Sequence, residues 1–464
     1  MNAHALPLEA VLARLDRDLD KSLERLFTLL RFESVGADSA YDAQTRACAD
    51  HLVKDLQTLG FEASARPTPG HPVVVGHRRR AGKPHVLFYG HYDVQPVDPL
   101  DLWEDPPFAP KLKELEPGRK VITGRGACDD KGQVMTFLEA CRAIIAETGD
   151  LPISLSVMIE GEEESGSVNL PPFLAANKDE FKADICIVCD TGQWDRYTPQ
   201  ITSSLRGMLY EEIIIKAADR DLHSGHFGGT AQNPIHILSR IIASMHDAQG
   251  RIQVPDFYAG VHDTGANRLA QWEALGLTES EFLGQIGLKY ASGEKDRTLI
   301  EKMQSRPTCD VNGIWGGYTG EGTKTVIASE ARAKISFRLV HDQNPDAIQK
   351  NFRAYVASQV PPDCMVEFIG YKGSRATQVR EESPELKKAT DALRAEWGVE
   401  PVVLGAGGSI PIVGDFKRVL GLDALLIGFG LDDDRIHSPN EKYDLSSFHK
   451  GQRSWARIIA SLGA

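Results

Sequence analysis

The stretch HVLFYGHYD, residues 85–93, runs from apolar residues into an imidazole and a carboxylate. Its composition is typical of a buried β-strand, so His91 and Asp93 stand where that strand ends. Side chains two residues apart point to the same face of a strand, which puts Asp93 beside His91. There Asp93 can accept the second ring N–H of the imidazole and fix its direction. Alone, such a histidine is more often a hydrogen-bonded structural residue than a functional one.

Strand-like and helix-like segments alternate after this stretch. We expect a helix over 131–147 (KGQVMTFLEACRAIIAE), a strand over 153–160 (ISLSVMIE), a helix near 169–180 and a strand over 183–190 (ADICIVCD). Strands that alternate with helices predict an α/β fold, in which a mostly parallel sheet carries helices on both faces.

The pattern changes beyond this region. GMLYEEIIIKAA alternates like a half-exposed strand, helices are expected near 233–247 and 345–358, and 323–340 (TKTVIASEARAKISFRLV) indicates a long strand or hairpin. The α/β pattern then returns, with a strand in DALLIGFG (423–430). Because 464 residues are too many for one ordinary core, we predict an α/β domain split by an inserted α+β domain. The three segments are residues 1–205, 206–375 and 376–464.

Charge and hydropathy argue against several classes of protein. The chain has 52 Lys and Arg against 65 Asp and Glu, a net charge of −13, so a broad basic face for nucleic acid is not expected. It contains no run of about 18 apolar residues, so neither a membrane-spanning helix nor a membrane partner is expected. The N-terminal region combines acids with apolar residues at helical spacing, which predicts one amphipathic helix and not a signal peptide.

The cysteines suggest a reducing environment. Seven is an odd number, and their spacing indicates no disulfide framework, so we expect a cytoplasmic protein. Cys186 and Cys189 form a CxxC pattern, but positions three apart on a strand point to opposite faces. We therefore expect two buried thiols there.

Acidic and imidazole side chains collect at or just after the apolar strands. They form five groups, which are His91 with Asp93, GRGACDDKG (124–132), EGEEESGS (160–167), Asp190 and IHSPNE (436–441). Singly, each has an ordinary explanation, such as a helix N-cap for CDDKG or a charged turn for GEEES. The ends of strands in open α/β sheets are where ligands bind, however, so together the groups predict a metal site.

The types of side chain indicate which metals. Histidine nitrogen and carboxylate oxygen suit zinc and similar divalent ions. Three carboxylates and two histidines exceed what one catalytic ion needs, and they suit two ions that share a bridging carboxylate. Within the EEE triplet, neighbouring side chains on a turn point in different directions, so one glutamate can bind metal while the next acts as a general base.

With these residues in place, the chain resembles the co-catalytic zinc hydrolases of the aminoacylase, carnosinase and succinyl-diaminopimelate desuccinylase family, and within it the carnosinase-like cytosolic dipeptidases. The likeness extends over nearly the whole chain. Eight motifs carry it in order, namely GHYDVQP, GRGACDDKG, EGEEESGS, DLHSG, GTKTVI, FRLV, GGSIP and HSPNE.

The resemblance implies a zinc exopeptidase-like fold and a dinuclear metal site. It assigns the five ligands as His91 and Asp190 on the first ion, Asp129 between the two ions, and Glu164 and His437 on the second. Glu163 matches the general base, and Asp93 matches the orienting carboxylate. A shift of one residue within EEE would instead give Glu162 and Glu163 these places.

The inserted domain resembles a lid that also forms a homodimer. Its DLHSG histidine, His223, would reach the active site of the partner chain. Thr325, Arg338 and Ser409 match positions that hold the free carboxylate of the substrate. The carnosinase-like pattern has a histidine in a GHGG-like turn, whereas this chain reads GYKGSRAT at 370–377, which leaves the dipeptide preference open.

The predicted function is metal-dependent hydrolysis of dipeptides with a free C-terminal carboxylate, using two zinc ions, with manganese or cobalt as alternatives. An N-acyl-amino-acid deacylase would use the same site, and a non-catalytic metal-binding relative is a third hypothesis. The motifs DVQP, DLHSG and GTKTVI favour the dipeptidase.

A serine hydrolase would need a G-x-S-x-G elbow, which the sequence lacks. GEGTKT and GAGGSIP are not Walker loops, which argues against phosphate binding.

Overall fold

The computed structural model describes residues 6–379, 383–406 and 410–464. Its described residues form two compact units. Unit 1 contains the chain up to Ser203 together with Val379–Leu404 and Ile410–Ala464. Unit 2 contains Ser204–Gln378 and the short segment that begins at Gly405.

The first part of unit 1 alternates helices and strands. Its elements are α1 Leu8–Arg17, α2 Leu19–Leu30, α3 Asp42–Thr58, β1 Glu62–Arg66, β2 Val73–Arg78, β3 His85–His91, β4 Lys111–Glu116, β5 Arg119–Thr123, α4 Lys131–Thr148, β6 Ser154–Glu160, α5 Leu170–Ala176, β7 Ile185–Val188 and β8 Gln200–Leu205, whose last two residues belong to unit 2.

Unit 2 contains longer antiparallel strands and shorter helices. Its elements are β9 Gly207–Lys216, β10 Leu222–His223, α6 Ser224–Phe227, α7 Pro234–Ser244, α8 Ala266–Glu273, α9 Glu279–Gly284, α10 Leu299–Gln304, β11 Thr308–Gly316, β12 Val326–Ile327, β13 Glu330–Leu339, α11 Pro345–Ala357, β14 Met365–Gly370 and β15 Thr377–Gln378.

The chain then completes unit 1. The remaining elements are α12 Pro384–Trp397, β16 Val402–Ala406, whose last two residues belong to unit 2, α13 Pro411–Asp415, β17 Ala424–Leu426, β18 Lys442–Asp444 and α14 Leu445–Leu462.

The central sheet of unit 1 has the strand order β1-β2-β6-β3-β7-β17-β8. Its four middle strands, β6, β3, β7 and β17, are parallel, and the strands on either side of them are antiparallel. This is the predicted α/β architecture. His91 pairs with Glu160, and Tyr89 pairs with Val188. Because parallel strands end at the same edge, β3, β6 and β7 deliver their following residues to one place.

Helices cover both faces of this sheet because the strands are apolar on both sides. Successive residues of β3 point to opposite faces. The ring of Phe88 stacks on Phe137 of α4 at 3.8 Å, and Trp455 of α14 meets Phe137 edge-on at 5.4 Å. On the other face, Tyr89 packs edge-on against Phe416 at 5.3 Å. The site therefore rests on a sheet whose strands are buried on both sides.

Unit 2 is built on a four-stranded antiparallel sheet in the order β11-β13-β9-β14. Residues of β13 alternate between buried and partly exposed, which is the pattern of a strand with one covered face. On the covered face, Phe337 packs against Phe257 and Phe352. In a separate pair, β10 lies antiparallel to β12.

Several elements differ from the expectations. The N-terminal helix is two helices that meet at Asp18, and the strand in 423–430 is only β17. Of the two alternatives for 323–340, the long strand is observed as β13 and the hairpin is not, because β12 pairs with β10 while β13 pairs with β9 and β11. Among the described residues, no helix combines the length and apolarity needed to span a membrane.

Candidate metal centre

The candidate site lies at the edge of the unit 1 sheet where the middle strands end. His91 is the last residue of β3, and Asp190 follows β7 by two residues. Glu163 begins a 3-10 turn shortly after β6, and Asp129 precedes α4. His437 lies in the connection between β17 and β18 and has a positive φ of 63°. His91 thus ends its strand, and four separate connections supply the other side chains, with Glu164 next to Glu163 in the same turn.

Among the described residues, three groups of acidic or histidine side chains each bring one ligand atom per residue within 4.8 Å of one another. Two of these groups contain only residues predicted for the site. The first cluster is His91, Glu163 and Asp190, and the second cluster is Asp129, Glu164 and His437.

Asp129 connects the two clusters. Its Oδ1 lies 3.1 Å from Nε2 of His91, and its Oδ2 lies 3.0 Å from Nε2 of His437. The same histidine nitrogens also face a second carboxylate, since Asp190 is 3.9 Å from His91 and Glu164 is 3.2 Å from His437. A carboxylate that offers one oxygen to each cluster has the arrangement of a bridging metal ligand.

Asp93 is fully buried, and its carboxylate has partners other than His91. Its Oδ1 accepts the backbone N–H of Glu163 at 3.2 Å, and its Oδ2 accepts that of Glu164 at 3.0 Å. Nδ1 of His91 is closer to the backbone carbonyl of Asp93, at 3.0 Å, than to the Asp93 carboxylate, at 3.4 Å. The expected contact with the carboxylate is therefore the longer of the two.

The triplet EEE separates into three different environments. Glu162 points away from both clusters, where it accepts hydrogen bonds from the backbone N–H of His71 at 3.3 Å and from Asn169 at 3.0 and 2.9 Å. Glu163 and Glu164 enter the first and second clusters. The geometry therefore matches the assignment of Glu163 and Glu164 and not the alternative shifted by one residue.

Two contacts of this site were missed by sequence reasoning. Nε2 of Gln95 donates to Oε2 of Glu164 at 2.8 Å. The buried Glu441 accepts the backbone N–H of Asp129 at 3.1 Å. Both residues lie inside quoted motifs, DVQP and HSPNE, so the motifs were a signal that they are near the site. Their partners depend on how distant loops meet, which the sequence alone does not give.

The electrostatics are those of a site with an excess of buried negative charge. Burial raises the pKa of Glu163 to about 8 and the pKa of Asp190 to about 7. Hydrogen bonds to Asp129 and Glu164 raise the pKa of His437 to about 10. Burial opposes a low pKa for Asp129, but its bonds with His437 and His91 hold that pKa below the usual range.

These pKa shifts indicate whether the residues suit divalent ions. Without a cation, the raised pKa values of Glu163 and Asp190 favour their neutral forms, and that of His437 favours its positive form, so each shift reduces the negative charge of the site. Imidazole and carboxylate groups are also the donors that zinc and similar ions prefer. The donor set and its charge therefore fit a metal centre.

The third group, Asp433, Asp434 and Asp444, has a cation of its own. Nζ of Lys442 donates to Asp433 at 2.8 Å, to Asp434 at 2.5 Å and to Asp444 at 3.3 Å. Arg119 donates to Asp433 and Asp444 as well. The lysine occupies the place that a metal ion would need, so this group is a structural ion-pair network.

Three of the remaining predicted residues, His223, Thr325 and Arg338, lie in unit 2. Nδ1 of His223, an exposed side chain of β10, accepts the backbone N–H of Gly225 at 3.0 Å. Thr325 is exposed, and its carbonyl accepts the N–H of Ser224 at 3.0 Å. Arg338 is partly buried on β13, and Ser409 lies outside the described residues. Their roles in substrate binding and across subunits stay predictions.

All seven cysteines lie in the described part of the chain, and each is a free thiol. Cys186 and Cys189 are both buried, as predicted.

Comparisons with known proteins agree with this geometry. Residues 87–461 match the model of peptidase family M20/M25/M40. The Cys-Gly metallodipeptidase DUG1 of Candida albicans is 30% identical, over 96% of this chain and 95% of the relative. Human Beta-Ala-His dipeptidase is 31% identical, over 81% of this chain and 74% of the relative. The structure is also similar to that of the metallo-carboxypeptidase Sso-CP2 from Sulfolobus solfataricus, with a TM-score of 0.80, 29% identity and coverage of 95% and 99%.

Proposed function

Because the chain belongs to peptidase family M20/M25/M40, we propose that it hydrolyses the amide bond of dipeptides with a free C-terminal carboxylate, using two divalent ions held by the two clusters. Family membership confirms the predicted resemblance, the α/β fold and the metallopeptidase class. The observation that carries the proposal is Asp129, whose two oxygens face His91 in one cluster and His437 in the other.

The proposed metal ligands are the residues of the two clusters other than Glu163. His91 and Asp190 would hold the first ion, Glu164 and His437 the second, and Asp129 both. Zinc suits this mixture of nitrogen and oxygen donors, and manganese or cobalt are alternatives. When bound, such ions polarise a carbonyl oxygen and lower the pKa of a coordinated water to about 7.

Glu163 is the proposed general base. It shares the first cluster but is the residue of the site that the ligand assignment leaves free. Burial raises its pKa to about 8 without a cation, and nearby positive charge would lower that value towards neutrality. A carboxylate with a pKa near the working pH can take a proton from the attacking water and give it to the leaving amine nitrogen.

Asp93 is the proposed positioning residue for this step. Through the backbone N–H groups of Glu163 and Glu164 it fixes the turn that separates base from ligand. Its carbonyl and carboxylate also hold Nδ1 of His91, which leaves Nε2 directed at Asp129. One buried residue thus orients groups of both clusters.

The proposal that the substrates are dipeptides rests on the names of the relatives. Two of them are dipeptidases, named for Cys-Gly and Beta-Ala-His, whereas neither name indicates an N-acyl-amino-acid deacylase. We propose that Arg338, with Thr325 and Ser409, binds the substrate carboxylate, since a guanidinium can form two parallel hydrogen bonds with it. We also propose a homodimer through unit 2 in which His223 serves the partner chain.

A substrate panel tests this function. Purified protein with added Zn²⁺ or Mn²⁺ is given dipeptides, the same dipeptides as C-terminal amides, and N-acetyl amino acids. We expect hydrolysis of the free dipeptides, much weaker hydrolysis of the amides, and no hydrolysis after chelation. Preferential cleavage of N-acetyl amino acids would contradict the dipeptidase proposal and favour the deacylase.

A further inference from the structure

Glu441 is a buried carboxylate that the proposed reaction does not use. It has no exposed surface, and it lies four residues after His437, immediately before β18. A charge that is removed from water must be compensated by partners, so its contacts indicate why it is there.

Those partners lie on the loop that presents Asp129. Oε1 of Glu441 accepts the backbone N–H groups of Cys128 at 2.9 Å and Asp129 at 3.1 Å. Oε2 accepts the backbone N–H of Gly126 at 2.9 Å and a guanidinium N–H of Arg125 at 2.9 Å. The backbone carbonyl of Glu441 accepts a fifth hydrogen bond, from the N–H of Gly124 at 3.0 Å.

This set of contacts is more than an ion pair. An ion pair that served stability alone would need only Arg125, yet three of the four side-chain contacts go to the backbone of one loop. That loop ends at Asp129, the carboxylate that connects the clusters. Glu441 therefore fastens the segment that carries Asp129 to the segment that carries His437.

Arg125 extends the connection to the third residue of the second cluster. Its other terminal nitrogen donates to the carbonyl of Pro96 at 3.0 Å. The preceding residue, Gln95, donates to Glu164. The segments that supply or orient Asp129, His437 and Glu164 thus meet at the Glu441–Arg125 pair.

We propose that Glu441 is a positioning residue that sets the separation of Asp129 and His437, and through it the affinity of the second cluster for its ion. This inference rests on the proposed function, because it assumes that the second cluster holds a divalent ion. Glu441 itself binds neither metal nor substrate.

Two variants and one control test the proposal. Glu441→Gln replaces one oxygen with an N–H₂ group, which then faces N–H donors and cannot bond to them. Glu441→Asp keeps the charge but withdraws the carboxylate by about 1.5 Å, one carbon–carbon bond. Glu139→Gln is the matched control, since Glu139 is also a buried carboxylate, bonded to Ser22, Arg25 and Arg142 and eight residues into α4.

The measurement is the dissociation constant of each of two Co²⁺ ions, by chelator competition, together with the visible absorption of the bound Co²⁺. We expect both Glu441 variants to bind the second ion about 10–100-fold more weakly, with an altered spectrum, because residues that orient metal ligands typically have effects of that size. The first ion should change much less. Glu139→Gln should be less stable but keep both affinities and the wild-type spectrum.

Each result decides the question. Unchanged second-ion affinity and spectrum in the variants would overturn the inference and leave the proposed function intact. Wild-type protein that binds fewer than two ions would overturn both. If Glu441→Gln fails to fold, Glu441→Asp, which keeps a negative charge near Arg125, decides alone. An equal loss in Glu139→Gln would reduce Glu441 to a general structural residue and so also overturn the inference.

Discussion

Glu163 and Glu164 are neighbours in the sequence, yet each brings its carboxylate into a different cluster. Asp93 accepts the backbone N–H of both, so the two residues leave a single anchored turn in different directions. Adjacent residues can therefore have separate chemical duties, one as a proton carrier and one as a metal ligand.

The first prediction separates these duties. Glu163→Gln cannot carry a proton, so we expect kcat to fall at least about 100-fold while both ions remain bound. Glu164→Gln should instead weaken binding of the second ion. Steady-state kinetics and metal analysis of both variants provide the check. Loss of metal from Glu163→Gln, with normal metal binding in Glu164→Gln, would contradict this assignment and favour the one shifted to Glu162 and Glu163.

The second prediction concerns Gln95. Gln95→Met removes the hydrogen bond to Glu164 but keeps a side chain of similar length. We expect the affinity for the second ion to fall by about 10-fold to 100-fold in a chelator competition assay. The control is Gln57→Met, because the Gln57 side chain lies on an exposed surface and donates to the carbonyl of Ala63, far from both clusters in the sequence. A wild-type metal affinity in Gln95→Met would show that Glu164 needs no such partner.

At the scale of elements, the sequence predicted what depends on local pattern. The apolar runs of β3, β6 and β7 and the long helix α4 were expected close to their observed bounds. Because β3 and β7 are parallel, they end at the same edge of the sheet, so the predicted strands alone are enough to place His91 near Asp190. The strand β4 was missed because KLKELE has mostly exposed, charged residues and forms a strand only through its pairing with β5.

Contacts between loops were also beyond prediction. Glu441 and Gln95 act on residues of the site that are far away in the sequence, and only the folded chain brings these loops together. Whether the carbonyl or the carboxylate of Asp93 lies nearer to Nδ1 of His91 was likewise not predictable, because it depends on the conformation of the chain beyond the end of β3.

The third prediction tests the support that α4 gives the sheet. Phe137 stacks on Phe88 and meets Trp455, so Phe137→Ala would leave a cavity between sheet and helices. We expect a loss of about 3–5 kcal/mol in the free energy of unfolding in urea. Leu102→Ala, at a position that is 59% exposed, should change it by less than about 0.5 kcal/mol. Similar losses in both would mean that Phe137 is not a core residue.

At the scale of the whole molecule, the metal centre couples stability to pH. The pKa of Asp190 is raised to about 7, that of Glu163 to about 8 and that of His437 to about 10. A group whose pKa is raised by folding stabilises the folded state while it is protonated, and this contribution is lost as the pH rises through the folded-state pKa.

The fourth prediction follows from that sign. The Tm of metal-free protein should fall between pH 7 and pH 9, since His437 and, up to about pH 8, Glu163 hold protons in the folded protein that the unfolded chain has released. With bound Zn²⁺ the fall should be smaller, because the ion replaces those protons. Differential scanning calorimetry of both forms across this window gives the comparison. A Tm of the metal-free form that rises with pH would contradict the charge balance described for the site.

The fifth prediction concerns the proposed dimer. Glu163→Gln and His223→Ala should each be nearly inactive, since His223 would stabilise the oxyanion in the partner's site. In a mixed dimer one site has both defects and the other has neither. With random exchange at equal amounts, about half of the dimers are mixed, so activity should return to about a quarter of wild type. No recovery despite demonstrated exchange would mean that His223 does not act across the dimer.

The central claim is that one bridging carboxylate joins two metal-binding clusters into a single catalytic centre. Its most direct test is the titration of metal-free protein with Zn²⁺ while the hydrolysis of a dipeptide is followed. We expect activity to be absent at the start and to reach its plateau at two equivalents per chain. A plateau at one equivalent, or full activity without metal, would contradict the claim.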